Sequence, residues 1–178
     1  MRYLVVSDNH GDRAIIKELL TQYQNQVDYF FHCGDSELDA TDEVWETYHG
    51  VQGNCDFGTD FETKRVVDTG LDRVYMTHGH LSNVRFGLTQ LALEAKEQQA
   101  TIALFGHTHQ LGCEFEEGIL FLNPGSISQP RGMIQIPAYA IIESTKETLA
   151  VQYYNRSHKK IDNMAFEYKR LQTNSNFC

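Results

Sequence analysis

The sequence predicts a mixed α/β (α+β) fold. Three observations point there. Short apolar runs alternate with helical periodicity from residue 2 to residue 105, and from about residue 113 apolar runs follow one another with no helix between them. No linker, internal repeat or low-complexity tract interrupts the 178 residues, so the chain reads as a single domain over 1–178.

The elements follow in order. Residues 2–6 form an apolar run of buried-strand type, ending in the turn-forming Ser7-Asp8-Asn9-His10-Gly11. Ile15, Ile16, Leu19, Leu20 and Tyr23 recur at helical spacing. A second strand is expected over 27–32, running into Cys33-Gly34-Asp35-Ser36. Residues 38–48 are weakly helical. A third strand over 48–52 closes on Gly53-Asn54-Cys55-Asp56. An edge strand over 65–68 precedes one over 74–77, which ends on His78-Gly79-His80. A helix over 84–99 carries Val84, Leu88, Leu91 and Ala95 on one stripe, and a strand over 101–105 meets Gly106-His107-Thr108-His109. The remaining strands lie around 113–115, 119–122, 138–143 and 149–154, the first two joined at Glu116-Glu117-Gly118. Residues 157–178 are polar and fit either a short helix or a loose tail.

Composition narrows the function. With 41% hydrophobic and 22% charged residues the chain is neither disordered nor fibrous. Fifteen basic against twenty-four acidic residues leave a net charge of −9. That disfavours duplex nucleic acid, whose phosphates need clustered Lys and Arg. Bound divalent ions would nevertheless make a positive pocket in such a protein. No apolar run approaches the ~20 residues that span a bilayer, and residues 1–6 are too short for a signal core, so a cytoplasmic protein without membrane attachment is expected. Cys33, Cys55, Cys113 and Cys178 share no spacing that suggests disulfides or a zinc ribbon.

Chemistry gathers at strand ends. Asp8/His10, Asp35, Asn54, His78 and His107/His109 each follow an expected strand, and ligand sites of open α/β sheets lie beyond the carboxyl ends of their strands. A glycine stands beside each cluster (Gly11, Gly34, Gly53, Gly79, Gly106), as sharp turns or close backbone approach require. Taken singly, Asp-x-His, Gly-Asp and Gly-Asn are ordinary turn chemistry. Together they supply two carboxylates, one amide oxygen and four imidazoles, too many donors for one tetrahedral zinc site and suited to two cations sharing a bridge. With no thiolate among them, borderline or harder ions such as Mn²⁺, Fe²⁺ or Zn²⁺ are favoured. Asp8-x-His10 and His107-x-His109, if extended, would each point two donors the same way. His32 and His49 read as structural, His158 as part of a solvated tail, and the acidic residues of 37–46 as a solvated helix face.

These five clusters, in this order, resemble the motifs of the calcineurin-like metallophosphoesterase superfamily. The length, with Asn123-Pro124-Gly125-Ser126 and Pro130-Arg131-Gly132, resembles its small prokaryotic phosphodiesterase branch. The resemblance implies a two-sheet mixed β-sandwich flanked by helices, a four-layer αββα fold. It implies one metal on Asp8, His10, Asp35 and His109, and a second on Asp35, Asn54, His78 and His107, with Asp35 bridging. Manganese is the favoured ion, with Ni²⁺, Fe²⁺, Co²⁺ and Zn²⁺ as alternatives.

The implied reaction is hydrolysis of small phosphodiesters by a metal-bridging hydroxide, with Asn54 stabilising charge on the equatorial oxygens. Most superfamily members carry a histidine where Cys55 stands, and pair it with the neighbouring acid, here Asp56. A thiol of pKa ~8.5 is a poor acid, so the acid falls to Cys55 or to another group such as His80. Arg85, Arg131 and Ser126 are candidates for contacts near the pocket. The alternative is a non-catalytic scaffold like the small retromer subunit, against which all seven ligands are present. Phe57, Phe61 and the free edge of the β-meander are compatible with a homo-oligomer.

Overall fold

The computed structural model describes residues 1–58 and 60–171. Two mixed sheets stack face to face. The first has six strands: β11 (Lys160–Lys169), β10 (Thr148–Asn155), β9 (Ala138–Ser144), β1 (Arg2–Val6), β2 (Tyr29–His32) and β3 (Tyr48–Gly50), in that spatial order. The second has five, ordered β4 (Lys64–Asp68), β5 (Arg73–Thr77), β6 (Ile102–Leu104), β8 (Ile119–Pro124) and β7 (Leu111–Glu116).

Three apolar clusters define the layers. Between the sheets lie Tyr3, Val5, Phe31, Met76, Leu104, Leu122, Ala140 and Val151, all buried. On the outer face of the first sheet, helix α1 (Arg13–Tyr23) packs Ile15, Ile16 and Leu19 against Leu4, Val6 and Ile141. On the second sheet, helix α2 (Thr89–Glu97) packs Leu91 and Ala95 against Tyr75, Ala103 and Phe121. The order helix–sheet–sheet–helix is the expected four-layer sandwich, because each sheet has two apolar faces to cover.

The parallel ladders position the site. β1, β2 and β3 run parallel, as do β5, β6 and β8. The loops leaving β1, β2 and β3 therefore emerge at one end of the first sheet, and those leaving β5, β6 and β8 at one end of the second.

Four expectations are corrected. Residues 38–48 hold only a 3₁₀ turn (Glu43–Glu46), because the Asp39 and Asp42 carboxylates accept the N–H groups of Thr41 and Val44. Such local bonds compete with helix formation. The helix expected from 84 begins at Thr89; before it, Ser82 and Val84 N–H both close onto the Gly79 carbonyl. Residues 160–169 form neither helix nor loose tail but the long edge strand β11, antiparallel to β10, with Met164, Phe166 and Tyr168 against the inter-sheet core. His158 is not in a solvated tail: its ring bonds the Tyr139 hydroxyl at 3.0 Å and Glu18 at 2.9 Å. The rest of that stretch, 172–178 with Cys178, lies outside the described residues.

Among the described residues no helix is long and apolar enough to cross a membrane. Phe57 is 88% exposed, whereas Phe61 packs edge-on against Trp45.

Candidate metal centre

The loops leaving β1, β2 and β6 bring four predicted ligands to one point. One ligand atom each from Asp8, His10, Asp35 and His109 lies within 4.8 Å of the others. Asp8 and Asp35 are buried, as is His109. Beside them His78 Nε2 stands 3.3 Å from Asp35 Oδ2 and 3.2 Å from Asn54 Oδ1, so Asp35 faces both groups. His107 is the exception. Its ring centroid is 5.1 Å from that of His78, but its Nε2 accepts a hydrogen bond from Arg85 Nε at 3.0 Å.

Three imidazoles share one device. His78 Nδ1 faces the Cys33 carbonyl at 2.7 Å, His109 Nδ1 the Gln129 carbonyl at 2.7 Å, and His10 Nδ1 the Glu37 carboxylate at 2.6 Å. A carbonyl or carboxylate only accepts, so the proton must sit on each Nδ1. In the neutral ring this turns the Nε2 lone pair inward, the arrangement of metal-binding histidines with an oriented outer shell. Asp8 Oδ1 is buried with no hydrogen-bond partner among the described residues, although His109 Nε2 approaches to 3.1 Å. A buried carboxylate oxygen left bare amid inward lone pairs fits a cation. The donor set therefore suits divalent metal.

The electrostatics agree. Burial opposes the ionisation of Asp35, but the His78 ring and the Cys55 N–H hold its carboxyl well below the usual range. Burial likewise opposes the charging of His78, and the carboxylates of Asp35 and Asp8 outweigh it, so its pKa is raised. His107 is pushed down to about 4 by burial, then by His78 and Arg85. Burial drives the Cys55 thiol up to about 11, helped by Asp35.

The backbone departs from the extended geometry expected of the Asp-x-His and His-x-His pairs. Asp8, His10, Asp35, His107 and His109 adopt φ of +55°, +45°, +52°, +66° and +60°. Left-handed non-glycine residues cost of order 1–3 kcal/mol each and collect at functional sites. The donors converge through turns. Two glycines act by proximity: a Cβ on Gly53 would collide with Asp35 Oδ1, and one on Gly106 with Ser7 Oγ.

Around the donors lies a supporting layer. Asp56 does not face the pocket; its Oδ2 accepts from Asp35 N at 2.8 Å and Gly53 N at 2.7 Å, its Oδ1 from Glu37 N at 2.7 Å and Ser36 Oγ at 3.1 Å. Ser126 Oγ donates to the Asp8 carbonyl at 2.7 Å and accepts from the N–H groups of Ser128 and Gln129. Asn123 Nδ2 donates to the Gly106 carbonyl and to Thr108 Oγ1. Cys55 Sγ accepts from Asn54 Nδ2 at 3.2 Å. His80 Nδ1 is buried without a hydrogen-bond partner among the described residues, its ring 5.4 Å from His78.

His32 is structural as read: Nδ1 accepts from Gly34 N at 3.1 Å while Nε2 bonds Asn9 Oδ1 at 2.7 Å. Sequence reasoning missed Glu37, placed on a solvated helix face. Its position two residues after Asp35 was the available signal. Asp42 and Glu43 instead bind Arg13, and Glu43 also Lys17.

A fold of two facing mixed sheets with an aspartate–histidine centre at the strand ends defines a metal-dependent phosphoesterase class. Residues 1–147 match the calcineurin-like phosphoesterase superfamily domain, and the chain belongs to that superfamily. Probable metallophosphoesterase YsnB of Bacillus subtilis is 34% identical over 164 residues, 92% of this chain and 96% of YsnB. The crystal structure of a conserved protein from Streptococcus pneumoniae TIGR4, described as a predicted phosphoesterase, superposes with a TM-score of 0.93 at 39% identity, covering 95% of this chain and 97% of that one. Vps29 of Entamoeba histolytica, determined with zinc, has a TM-score of 0.69 at 21% identity over 95% and 98% of the two chains, and shows the shared fold alone.

Proposed function

We propose that this chain hydrolyses small phosphodiesters at a dinuclear centre, with Mn²⁺ as the favoured ion, and does so in the cytoplasm. The observation that carries the reading is the set of three imidazoles, each held through Nδ1, presenting Nε2 to the buried Asp8 and Asp35. One ion would lie on Asp8, His10, Asp35 and His109. A second would lie on Asp35, Asn54, His78 and His107, once His107 Nε2 gives up its bond from Arg85. Bound there, two divalent cations would supply an activated water and an electrophilic clamp on the phosphoryl oxygens.

The chain's own groups do the rest. Asn54 offers its carbonyl oxygen to the centre and keeps an amide N–H to donate to a substrate oxygen. Arg85, whose terminal nitrogens have no partner among the described residues, would neutralise phosphoryl charge. Cys55 and His80 are the two candidates to protonate the leaving alkoxide. Asp56 orients the loops of Asp35 and Gly53 and transfers no proton. The scaffold alternative is disfavoured by the complete donor set.

A metal-by-substrate screen on wild type and Asp35→Asn, with metal content measured on both, tests the reading. Hydrolysis of bis(p-nitrophenyl) phosphate is expected to rise with Mn²⁺, vanish with EDTA, and be lost with the metal in Asp35→Asn. No metal-dependent turnover with Mn²⁺, Ni²⁺, Co²⁺ or Zn²⁺ would remove the hydrolase assignment.

A further inference from the structure

A cavity of about 480 Å³ opens beside Thr108, within the His107–His109 loop, and Gln110, which follows that loop. Its lining includes Val84, Leu88, Phe105 and Phe121, so about half of its wall is apolar. It lies on the outer face of the second sheet, where α2 packs chiefly on β6 and leaves β7 uncovered. Two arginines also line it: Arg85 from the segment before α2, and Arg131 from the loop after β8.

Both are tied to the loop that carries the histidines. Arg85 Nε donates to His107 Nε2 at 3.0 Å, and the Arg131 N–H donates to the His109 carbonyl at 2.9 Å. Arg2, Arg13, Arg73, Arg156 and Arg170 all pair with carboxylates. Among the described residues Arg65, Arg85 and Arg131 do not, although the chain is strongly acidic, and Arg65 lies away from the cavity on the edge strand β4. Two guanidinium groups without counter-ions at one mouth suit an anion held by planar forks.

Resting on the phosphodiesterase reading, we propose that this cavity holds the ester group that stays on phosphorus, not the leaving group, and selects one with a flat ring, a nucleoside or aryl ester, while Arg85 and Arg131 straddle the phosphoryl group. The volume lies within the range of small-molecule sites, far larger than an alkyl ester such as methyl would fill. The Phe105 and Phe121 rings and the guanidinium planes favour flat partners. Also in the lining, Gln110 offers a donor and an acceptor to the edge of a base, and the Glu114 carboxylate a further acceptor.

Gly112 provides the probe. A Cβ there would meet only Asn123 Cβ, at 3.6 Å, an ordinary contact, and Gly112 lines the cavity, so Gly112→Phe would place its ring there. In EDTA-treated protein, calorimetric titration is expected to show thymidine 5′-monophosphate binding at least tenfold tighter than methyl phosphate. Both probes are dianions, so the acidic centre affects them alike. Gly112→Phe and Arg131→Gln should each weaken thymidine monophosphate binding by tenfold or more, with circular dichroism unchanged. In metal-loaded protein, the kcat/KM ratio of thymidine 5′-(p-nitrophenyl) phosphate to methyl p-nitrophenyl phosphate should exceed ten and fall towards one in Gly112→Phe. Equal binding of the two monophosphates by wild type, or a ratio preserved in Gly112→Phe, overturns the proposal. Turnover of neither ester with any metal overturns the phosphodiesterase reading instead, and the metal-free titration still decides whether the cavity prefers an aromatic ester group.

Discussion

Asp56→Asn is nearly isosteric, and a residue that merely assisted an acid would tolerate it in the fold. The structure predicts otherwise. Four donors converge on the buried Asp56 carboxylate, at 2.7, 2.7, 2.8 and 3.1 Å. An asparagine keeps one oxygen and turns an NH₂ towards two of those donors. Either rotamer leaves two buried N–H or O–H groups unsatisfied and adds a donor–donor repulsion. At roughly 1–3 kcal/mol for each of the two unsatisfied groups, the loss is about 2–6 kcal/mol. For a chain of this size ~1 kcal/mol moves Tm by roughly 2–4 °C, so a fall of roughly 4–24 °C is expected by differential scanning calorimetry of the metal-free protein. Against a total stability of ~5–15 kcal/mol that is a large fraction. A Tm within 2 °C of wild type, with activity lost, would refute the reasoning and return Asp56 to the chemistry.

Other perturbations read different parts of the site. Ser126→Ala strands the Ser128 and Gln129 N–H groups and frees the Asp8 carbonyl, so a loss of about 2–4 kcal/mol in denaturant unfolding is expected, with weaker metal uptake by dialysis. His32, with its pKa lowered to about 4 by burial, takes up a proton more readily unfolded than folded. Its stabilisation is therefore complete above about pH 6.5 and drains away as pH falls to about 4, so the Tm of metal-free protein drops across that window and drops less in His32→Gln. Cys55→Ala removes the acceptor of the Asn54 amide, and a loss of about tenfold or less on an alkyl phosphodiester is expected; a loss within the ~10²–10⁴-fold span of general acid catalysis makes the thiol the acid.

Much of this protein was legible in local pattern. The strand-then-helix rhythm up to residue 105 follows from apolar period and turn residues, which are properties of neighbours in the chain. Because strands of one sense carry loops out at one end, Asp8, Asp35, His78 and His109 could be placed together without coordinates. The strand β11 was missed: Met164, Phe166 and Tyr168 do alternate at period two, but polar residues surround them, and Asn163 in a left-handed conformation and the bulge against β10 interrupt the strand just before them.

What pattern could not decide was which polar side chain faces the pocket and which faces the frame. Asp56 and Asp35 are both buried carboxylates in glycine-containing turns, yet one spends itself mainly on backbone N–H groups and the other faces the imidazoles. Glu37 looks like any solvated acid until the loop after β2 carries it to His10 Nδ1. The choice depends on distances between segments far apart in the chain and on turns with positive φ, and these are settled only when both sheets have packed. Residue type and order carried the list of donors; three-dimensional packing assigned their partners.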